Sequence, residues 1–532
     1  MTVKVSVVIP VYNAGVYIER PINSLLKQSL PQDEFEVIFV NDGSTDDSAE
    51  RLKELADNTE NVRVFTIPNS GWPGRPRNVG VANATGEYVQ FLDQDDALGP
   101  KALEVMYARA RKDEADIVVG KVKGNMRGPI RLFRETVGRV GPDFAELYET
   151  LTPHKMFRRQ FLLDNEIAFQ EGRCRLEDQM FLAKAYPLAE NITIVSDVIC
   201  YDWSGRDDGD NNSKGRTEPG DYYPWLAKTA QIVKANTEPG PVRDAFLTRN
   251  YRVEVLRNTA RQGFLDGTDY MMGHYRAARQ VVMDEYSDSI REALPPLWRF
   301  RAELLEADRV EDLRKVATRY RDAIGEIEFT GEPKWRLGVL VVPFRARLRY
   351  EDGSTVKVRK LGGGYGLDLA VVHGIEGGPE WSFTDLENRA LVDFQLRQRD
   401  KAQAWFPEVE YKVQVADDGT VEIVGTLRID PETAAGGERL PKGLYDVYVN
   451  IQALGIERMA RVEGGPASAV LPCGGERSAH QKIHAVPYWT RDGRLALDIG
   501  GNMHKVPVPP KPEKPQGGLR SIAEYVKRVL AS

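Results

Sequence analysis

The first 93 residues alternate between β-branched runs and helical patterns, and this alternation restricts the fold more than any other feature. Strand-like runs lie at 3–11 (VKVSVVIPV), 35–42 (FEVIFVND), 62–68 (VRVFTIP) and 87–93 (EYVQFLD), and helical patterns separate them. Strands that alternate with helices build a parallel sheet with helices on both faces. The sequence therefore predicts an α/β domain at the N-terminus.

The pattern changes twice further along the chain. Residues 216–329 contain runs such as VEDLRKVATRYRDAIGEI, with apolar residues at spacings of three and four, which predicts helices. Residues 330–508 contain short strand-like runs between Gly, Asp and Pro turns, which predicts one or two β-sandwiches. Residues 509–532 continue a Pro-rich linker and end in an amphipathic helix. We therefore expect four parts, with the first at 1–215.

Composition excludes several classes of protein. The net charge of −7 argues against nucleic-acid binding, although a locally positive cleft can still accept a polyanion. Three widely spaced cysteines without a Cys-x-x-Cys motif argue against disulfides and zinc. No run approaches the roughly 18 apolar residues of a membrane span, and the N-terminus resembles a core strand more than a signal peptide. The sequence predicts a cytoplasmic protein.

Acidic residues follow the fourth predicted strand in the segment FLDQDDAL. Asp93, Asp95 and Asp96 come at the point where ligands of open α/β sheets bind. Two carboxylates one residue apart can share a divalent cation and a ribose, and the cation can neutralise a diphosphate leaving group. The alternative is a solvated acidic turn.

Polar and aromatic residues follow the first two strands. Asp42 can accept the imide N–H of a uracil, and Tyr12 and Asn13 can stack on a base and bond to it. Asp42 can equally belong to a turn or cap a helix, and the other two can pack locally.

The loop NSGWPGRPRNVG (69–80) places Arg75, Arg77 and Asn78 at the start of a helix, where guanidinium and free N–H groups suit a diphosphate. A rigid turn with solvated arginines is the alternative. In LEDQMF, Glu177 and Asp178 can stabilise a helix N-terminus or supply a general base.

Taken in order, the motifs VSVVIPVYN, VNDGSTDDS, GRPRNVG, FLDQDD and LEDQMF resemble the family-2 glycosyltransferases of the GT-A fold. The segments NSGWPGRPRNVG, LTPHKMF and LEDQMFLAKAY resemble more narrowly the wall-teichoic-acid sugar transferases of Gram-positive bacteria, which attach N-acetylglucosamine to polyol-phosphate polymers. The resemblance covers about residues 3–215. It implies an inverting transfer from a UDP-sugar to a hydroxyl of a cell-envelope polymer.

The resemblance also implies a donor site. Tyr12 and Asp42 would hold uracil, and Arg75 and Arg77 would reach the nucleotide or its phosphates. Asp93 would bind ribose and Asp95 would hold Mn²⁺ or Mg²⁺.

Around the sugar, the resemblance implies that Asp178 is the general base, with Glu177 beside the sugar. Arg206 would meet the diphosphate from the loop 201–215, which by composition is either a lid or a connector. The resembling enzymes tend to carry a histidine in this loop, where the present chain has DGDNNS. Either Asp210 or Asn211 takes its place, or the metal and phosphate contacts differ.

Several alternatives stay open. The acceptor could also be a capsular polysaccharide, an exopolysaccharide, a glycolipid or a protein, and a catalytically degenerate, carbohydrate-binding scaffold is a further hypothesis. In the resembling enzymes, β-rich tails mediate oligomerisation or polymer binding, so we expect a homo-oligomer. Basic residues in the terminal helix would allow peripheral membrane contact. The aromatic residues of the β-rich part either stack on sugars or fill its core, namely Trp335, Tyr365, Trp381, Trp405 and Trp489.

Overall fold

The computed structural model describes residues 3–124, 131–203, 205, 216–368, 375, 379, 381–399, 403–464 and 485–501. Arg206, Asp210 and Asn211 of the predicted lid lie outside the described residues. The same is true of the Pro-rich stretch and of the predicted terminal helix.

The N-terminal part is built on one mixed sheet, which has nine strands among the described residues. Its strands are β1 (Val5–Val11), β2 (Phe35–Asn41), β3 (Val62–Thr66), β4 (Tyr88–Phe91), β5 (Ala97–Leu98), β6 (Ile117–Lys123), β7 (Val137–Val140), β8 (Met156–Arg158) and β9 (Ile192–Asp202). Their order is β3-β2-β1-β4-β8-β6-β9-β5, and β7 pairs with β9. The first four strands pair in parallel, as predicted. Strand β8 is antiparallel to β4 and β6, so the parallel prediction does not extend across the whole sheet.

Helices cover both faces of this sheet. They are α1 (Glu19–Leu25), α2 (Ser48–Asn58), α3 (Gly74–Asn83), α4 (Ala102–Asp113), α5 (Arg159–Asp164) and α6 (Glu177–Leu188). Successive strand residues point to opposite faces, so Val8 enters one core while Val7 and Ile9 enter another. The continuous apolar run of β1 reflects burial on both sides.

Residues 219–322 are mainly helical. The helices are α7 (Pro219–Ala235), α8 (Pro241–Asn250), α9 (Gln262–Leu265), α10 (Asp269–Glu285), α11 (Asp288–Ala293), α12 (Pro296–Glu306) and α13 (Val310–Asp322). A π-helical turn at Tyr251–Val255 follows α8 directly. The helical prediction was wrong after Asp322, because Ile324–Phe329 form strand β10, antiparallel to residues 344–349. A partner strand some twenty residues away overrides the local helical pattern there.

Within the described residues, the β-rich part has two large sheets, which form one sandwich, and a third sheet of only two strands. Its remaining strands are β11 (Lys334–Arg336), β12 (Val339–Arg349), β13 (Val358–Leu361), β14 (Gly364–Leu367), β15 (Ala390–Gln398), β16 (Gln403–Trp405), β17 (Glu408–Val415), β18 (Val421–Ile429), β19 (Gly443–Ala453), β20 (Ile456–Arg461), β21 (Ala485–Trp489) and β22 (Leu495–Ile499). One sheet has the order β10-β12-β18-β17 and the other β16-β15-β19-β22-β21. Phe344 and Phe394 meet between the sheets, with ring centroids 5.1 Å apart.

The aromatic residues of the sandwich are packing residues where the structure shows their partners. Trp405 and Trp489 are buried in the core. Trp381 donates from its indole nitrogen to Glu303 of α12 at 2.8 Å. These contacts favour the core alternative over sugar-stacking platforms.

The sandwich also packs on the other parts of the chain. Lys121 of β6 lies with its Nζ 3.7 Å from the ring centroid of Trp405. Arg131 Nε donates to the fully buried Asp393 at 2.9 Å. None of the helices in the described ranges combines the length and hydrophobicity needed to span a bilayer.

Close packing of α3 on β1 gives a first prediction. A Cβ added at Gly80 would lie 2.2 Å from Val8 Cγ1, inside a filled core. We expect Gly80→Ala to lower the free energy of unfolding by about 1–3 kcal/mol, because an added methyl forces side chains or backbone to move. Urea unfolding of the full chain measures the change.

Gly220→Ala is the matched control, since Gly220 is exposed at the start of α7 and its Cβ would meet nothing within 4 Å. We expect that variant to be as stable as the wild type or more stable by about 0.4–1 kcal/mol. Equal unfolding midpoints for the two variants would contradict the packing argument.

Candidate active site

The carboxyl ends of β1, β2 and β4 bring three predicted side chains to one edge of the sheet. Tyr12 follows β1, Asp42 follows β2 and Asp93 follows β4 after one intervening residue. Tyr12 is 45% exposed. Asp42 is buried and accepts hydrogen bonds from the backbone N–H and the hydroxyl of Ser70, both at 2.9 Å. This edge is where open α/β sheets bind ligands.

Residues 93–96 form a tight turn, which we call the acidic turn. The N–H of Asp96 donates to the carbonyl oxygen of Asp93 at 3.2 Å, so Asp95 occupies the third position at the tip. The amide of Gln94 makes two bonds to the backbone of Tyr12, accepting at 2.8 Å and donating at 3.1 Å. The acidic turn is thereby tied to the end of β1.

Arg77 of α3 connects the acidic turn to a carboxylate far along the chain. Its buried guanidinium donates from Nη2 to Asp93 Oδ1 and from Nη1 to Asp178 Oδ1, both at 2.9 Å. Glu177 Oε1 lies 3.9 Å from Nη1. The guanidinium of Arg77 thus contacts protein carboxylates, and its contact with the nucleotide stays a prediction. One buried cation thus joins Asp93 to Asp178, and we call this arrangement the Arg77 bridge.

This arrangement sets the charges of the site. Burial alone would lower the pKa of Arg77, but Asp93, Asp178 and Glu177 raise it. Burial opposes ionisation of Asp93, yet Arg77 and His154 hold its pKa well below the ordinary value. Burial and the neighbouring Glu177 raise the pKa of Asp178 above that of an ordinary carboxyl group, against the pull of Arg77. The two carboxylates on one guanidinium thus differ in proton affinity.

Asp178 lies in the first turn of α6, where the helix dipole favours anions. The preceding Leu176 has φ of 62°, a left-handed conformation that is rare for a leucine and that clusters at functional sites. The side chain of Asp178 is 30% exposed. It therefore remains accessible to a substrate hydroxyl while bonded to Arg77.

Asn78 and Arg75, the other predicted residues of the 69–80 loop, are placed differently. The amide nitrogen of Asn78 donates to the carbonyl of Phe169 and to Glu171, and its oxygen accepts from the N–H of Phe169 at 2.9 Å. These bonds engage the whole amide and tie α3 to the loop at 169–171, and the contact of Asn78 with a diphosphate stays a prediction. Arg75 is exposed at the start of α3.

Two buried rings next to the acidic turn were missed by the sequence analysis. His154 Nε2 lies 3.1 Å from Asp93 Oδ2, and the Tyr201 hydroxyl donates to Asp96 Oδ2 at 2.8 Å. Because a carboxylate only accepts, the bond to Asp93 places the imidazole proton on Nε2. His154 is part of the LTPHKMF segment, which was the available signal, whereas Tyr201 lies in an ordinary strand pattern.

The donor atoms at the acidic turn suit a divalent cation. One carboxylate oxygen each of Asp93 and Asp96 and one ring nitrogen of His154 lie within 4.8 Å of one another. Because His154 Nε2 donates to Asp93, the carboxylate oxygens are the atoms available to a cation. Asp95, the predicted metal ligand, belongs to the same turn. Carboxylate oxygens are ligands that Mg²⁺ and Mn²⁺ prefer. The residues present therefore fit the metal that the resemblance implies.

Two family models match the chain. Glycosyl transferase family 2 matches residues 6–184, and the glycosyl transferase TarS linker domain matches residues 219–317. The first match contains β1 except for its first residue, then β2 to β4, the acidic turn, Arg77 and Asp178. The second lies within the helical part.

The chain is similar to poly(ribitol-phosphate) beta-N-acetylglucosaminyltransferase TarS of Staphylococcus aureus (strain MW2), with 32% identity over 325 residues, 60% of this chain and 56% of that protein. It is also similar to the poly(ribitol-phosphate) beta-glucosyltransferase of Bacillus spizizenii, with 36% identity over 236 residues, 44% of this chain and 37% of that protein. The chain thus spans about half the length of the first relative and a smaller share of the second.

A solved structure, S. aureus TarS 1–349 in complex with UDP-GlcNAc, matches with a TM-score of 0.56 and 28% identity. The match covers 72% of this chain and 100% of that one.

The Arg77 bridge predicts opposite effects of two isosteric substitutions on stability. Asp93 has a lowered pKa, so its stabilising effect is present above its unfolded pKa and is lost as pH falls through the folded pKa. Asp178 has a raised pKa, so its stabilising effect is present below its unfolded pKa and is lost as pH rises through the folded pKa. At pH 8 we expect Asp93→Asn to lower Tm by several degrees and Asp178→Asn to leave Tm unchanged or raise it.

Thermal scans from pH 4 to pH 9 measure both effects, with the gap between Asp178→Asn and wild type closing at the acidic end. An equal loss of Tm in the two variants at pH 8 would show that Arg77 does not distinguish the two carboxylates.

Proposed function

Because this chain belongs to glycosyltransferase family 2 and carries the TarS linker domain, we propose that it transfers a sugar from a UDP-sugar to a hydroxyl of a polyol-phosphate polymer of the cell envelope. The observation that carries the proposal is the Arg77 bridge, which holds a carboxylate of raised pKa beside the acidic turn. The names of the two relatives, which specify N-acetylglucosamine, glucose and poly(ribitol phosphate), support the donor and acceptor classes.

In the proposed reaction, Asp178 takes the proton of the acceptor hydroxyl while the hydroxyl oxygen attacks the anomeric carbon. The new bond joins that oxygen to the anomeric carbon, and the bond from the carbon to the diphosphate oxygen breaks with its electron pair leaving on UDP. Attack from the face opposite UDP inverts the configuration without a covalent intermediate. A raised pKa suits this role, because a carboxylate of ordinary pKa holds a proton weakly at neutral pH.

The donor would bind along the edge formed by β1, β2 and β4. The exposed ring of Tyr12 is available to stack on uracil, and Asp42 would accept the imide N–H beside its present bonds. Asp93 would bind the ribose. Arg75 and Arg206 would contact the diphosphate, with Arg206 outside the described residues.

A divalent cation, Mn²⁺ or Mg²⁺, would be held by Asp95, in the same turn as Asp93. When bound, such a cation neutralises charge on the departing diphosphate. The protein contributes by keeping the Asp93 carboxylate anionic. Burial raises the pKa of Asp93, but Arg77 and His154 lower it by more.

The proposed base gives a direct test. We expect Asp178→Asn to reduce sugar transfer by at least about 100-fold, the lower range for loss of a general base, because the amide cannot accept the proton. The assay follows UDP release from UDP-GlcNAc and from UDP-glucose with Mn²⁺ and poly(ribitol phosphate). Binding of UDP, measured by calorimetry, should stay within a few-fold of wild type.

Asp33→Asn serves as the control, since Asp33 is an exposed carboxylate just before β2, away from the carboxyl ends of the strands. It should leave transfer unchanged. An active Asp178→Asn enzyme would remove Asp178 from the mechanism. A wild-type protein that binds UDP but transfers neither sugar would favour the scaffold hypothesis.

The pH dependence of transfer should follow the ionisation of Asp178. The charged groups facing Asp178 are Glu177, Arg77, Asp93 and Lys155, and after burial the largest effect comes from Glu177, which raises its pKa. We expect kcat/KM to rise with pH and to level off once Asp178 is ionised, with a midpoint above the usual carboxyl range.

Glu177→Gln removes the neighbouring charge and should move this midpoint to lower pH. Glu50→Gln, at an exposed position of α2, should leave the profile in place. A midpoint that stays put or moves upward in Glu177→Gln would contradict the assignment.

A further inference from the structure

The two ends of the acidic turn are held from the interior of the protein. Asp93 is its first residue and Asp96 its fourth. One carboxylate oxygen of each accepts a hydrogen bond from a buried aromatic side chain. His154 Nε2 donates to the Asp93 oxygen at 3.1 Å, and the Tyr201 hydroxyl donates to the Asp96 oxygen at 2.8 Å. The Tyr201 hydroxyl also accepts the backbone N–H of Asp93 at 3.2 Å.

The two rings act as one rigid body. Their centroids are 4.1 Å apart and their planes differ by 8°, and the edge of Trp203 packs against His154 at 5.3 Å. His154 is 5% exposed and Tyr201 is 1% exposed, so neither ring has room to turn. His154 precedes β8 by two residues and Tyr201 belongs to β9, so the sheet itself anchors both rings.

The same strand holds the segment that follows the turn. Leu98 of β5 pairs with Tyr201 in β9. The carboxylates at both ends of the turn are therefore hydrogen-bonded to this pair of rings, and the backbone after the turn pairs with the strand that carries Tyr201. The position of Asp95 at the tip follows from these anchors, because residues 93 and 96 leave little freedom to the two residues between them.

We propose that His154 and Tyr201 are positioning residues, which hold the acidic turn in the shape that receives the metal-bound diphosphate of the donor. The inference rests on the proposed function, in which the acidic turn binds the UDP-sugar. It assigns to the two rings a role in donor affinity, separate from the proton transfer at Asp178.

Variants that keep an aromatic ring and remove its hydrogen-bonding group test the proposal in the full chain. Tyr201→Phe removes the hydroxyl, and His154→Phe removes the ring N–H. We expect each to weaken UDP binding in the presence of Mn²⁺ by about 5- to 30-fold, measured by calorimetry, since each removes a hydrogen bond to a carboxylate. The KM for the UDP-sugar should rise by a similar factor, with a smaller change in kcat.

His154→Gln provides a conservative rescue, because its amide N–H can reach Asp93 from the same position. Its UDP affinity should lie between those of His154→Phe and the wild type. Tyr88→Phe is the matched control, since Tyr88 is also 1% exposed in this sheet but donates to the backbone of Ala115 at 3.0 Å. It should cost stability comparable to Tyr201→Phe and change UDP affinity by less than about twofold.

Three results separate the outcomes. Unchanged UDP affinity in both phenylalanine variants, in a protein that transfers sugar, would overturn the positioning role alone. Loss of Mn²⁺ binding without nucleotide in His154→Phe, but not in Tyr201→Phe, would make His154 a metal ligand and would also overturn the proposal. A wild type that binds UDP and Mn²⁺ but transfers no sugar would refute the proposed function while leaving the effect of the rings on binding measurable.

Discussion

A single buried guanidinium holds the candidate site together. Arg77 lies among Asp93, Asp178 and Glu177, and the three carboxylates would repel one another if this cation were absent. A buried charge is tolerated only when it is paired and hydrogen-bonded, and here one cation serves two parts of the fold. The bridge joins the end of β4 to the start of α6. It also leaves one carboxylate with a lowered pKa and the other with a raised pKa, which is the separation that acid–base chemistry needs.

The depth at which Arg77 lies depends on the glycines three residues before and after it. A Cβ at Gly74 would lie 2.2 Å from the carbonyl oxygen of Gln170, and one at Gly80 would lie 2.2 Å from Val8. Because neither glycine carries a Cβ, α3 packs closely between β1 and the 169–171 loop. The GRPRNVG segment thus serves packing as well as charge, because only a thin helix brings the guanidinium into the sheet edge.

The helical part and the sandwich both pack against the N-terminal part, which carries the candidate site. Gln179, next to Asp178, donates to Glu254 of the π-helical turn at 2.9 Å, and Glu254 is also paired with Arg249. Lys121 of β6 packs its ammonium on Trp405 of the sandwich. The helix that carries Asp178 is therefore braced by residues well outside the family-2 match, which gives the helical part a structural connection to the site.

The sequence alone predicted four strands that alternate with helices near the N-terminus and the polar residues at their carboxyl ends. It also offered a helix start at Glu177 as one of two alternatives. These features depend on local patterns: apolar runs for buried strands and acidic residues at strand and helix ends. The tertiary structure decided which side chains meet. Arg77 and Asp178 are 101 positions apart, and Asp93 and His154 are 61 apart, so no local pattern relates them. The antiparallel β8 and the strand at 324–329 were likewise decided by partner strands elsewhere in their own sheets. Strand pairing uses backbone C=O and N–H groups, which every residue carries except that proline lacks the N–H, so the local sequence does not specify the partner.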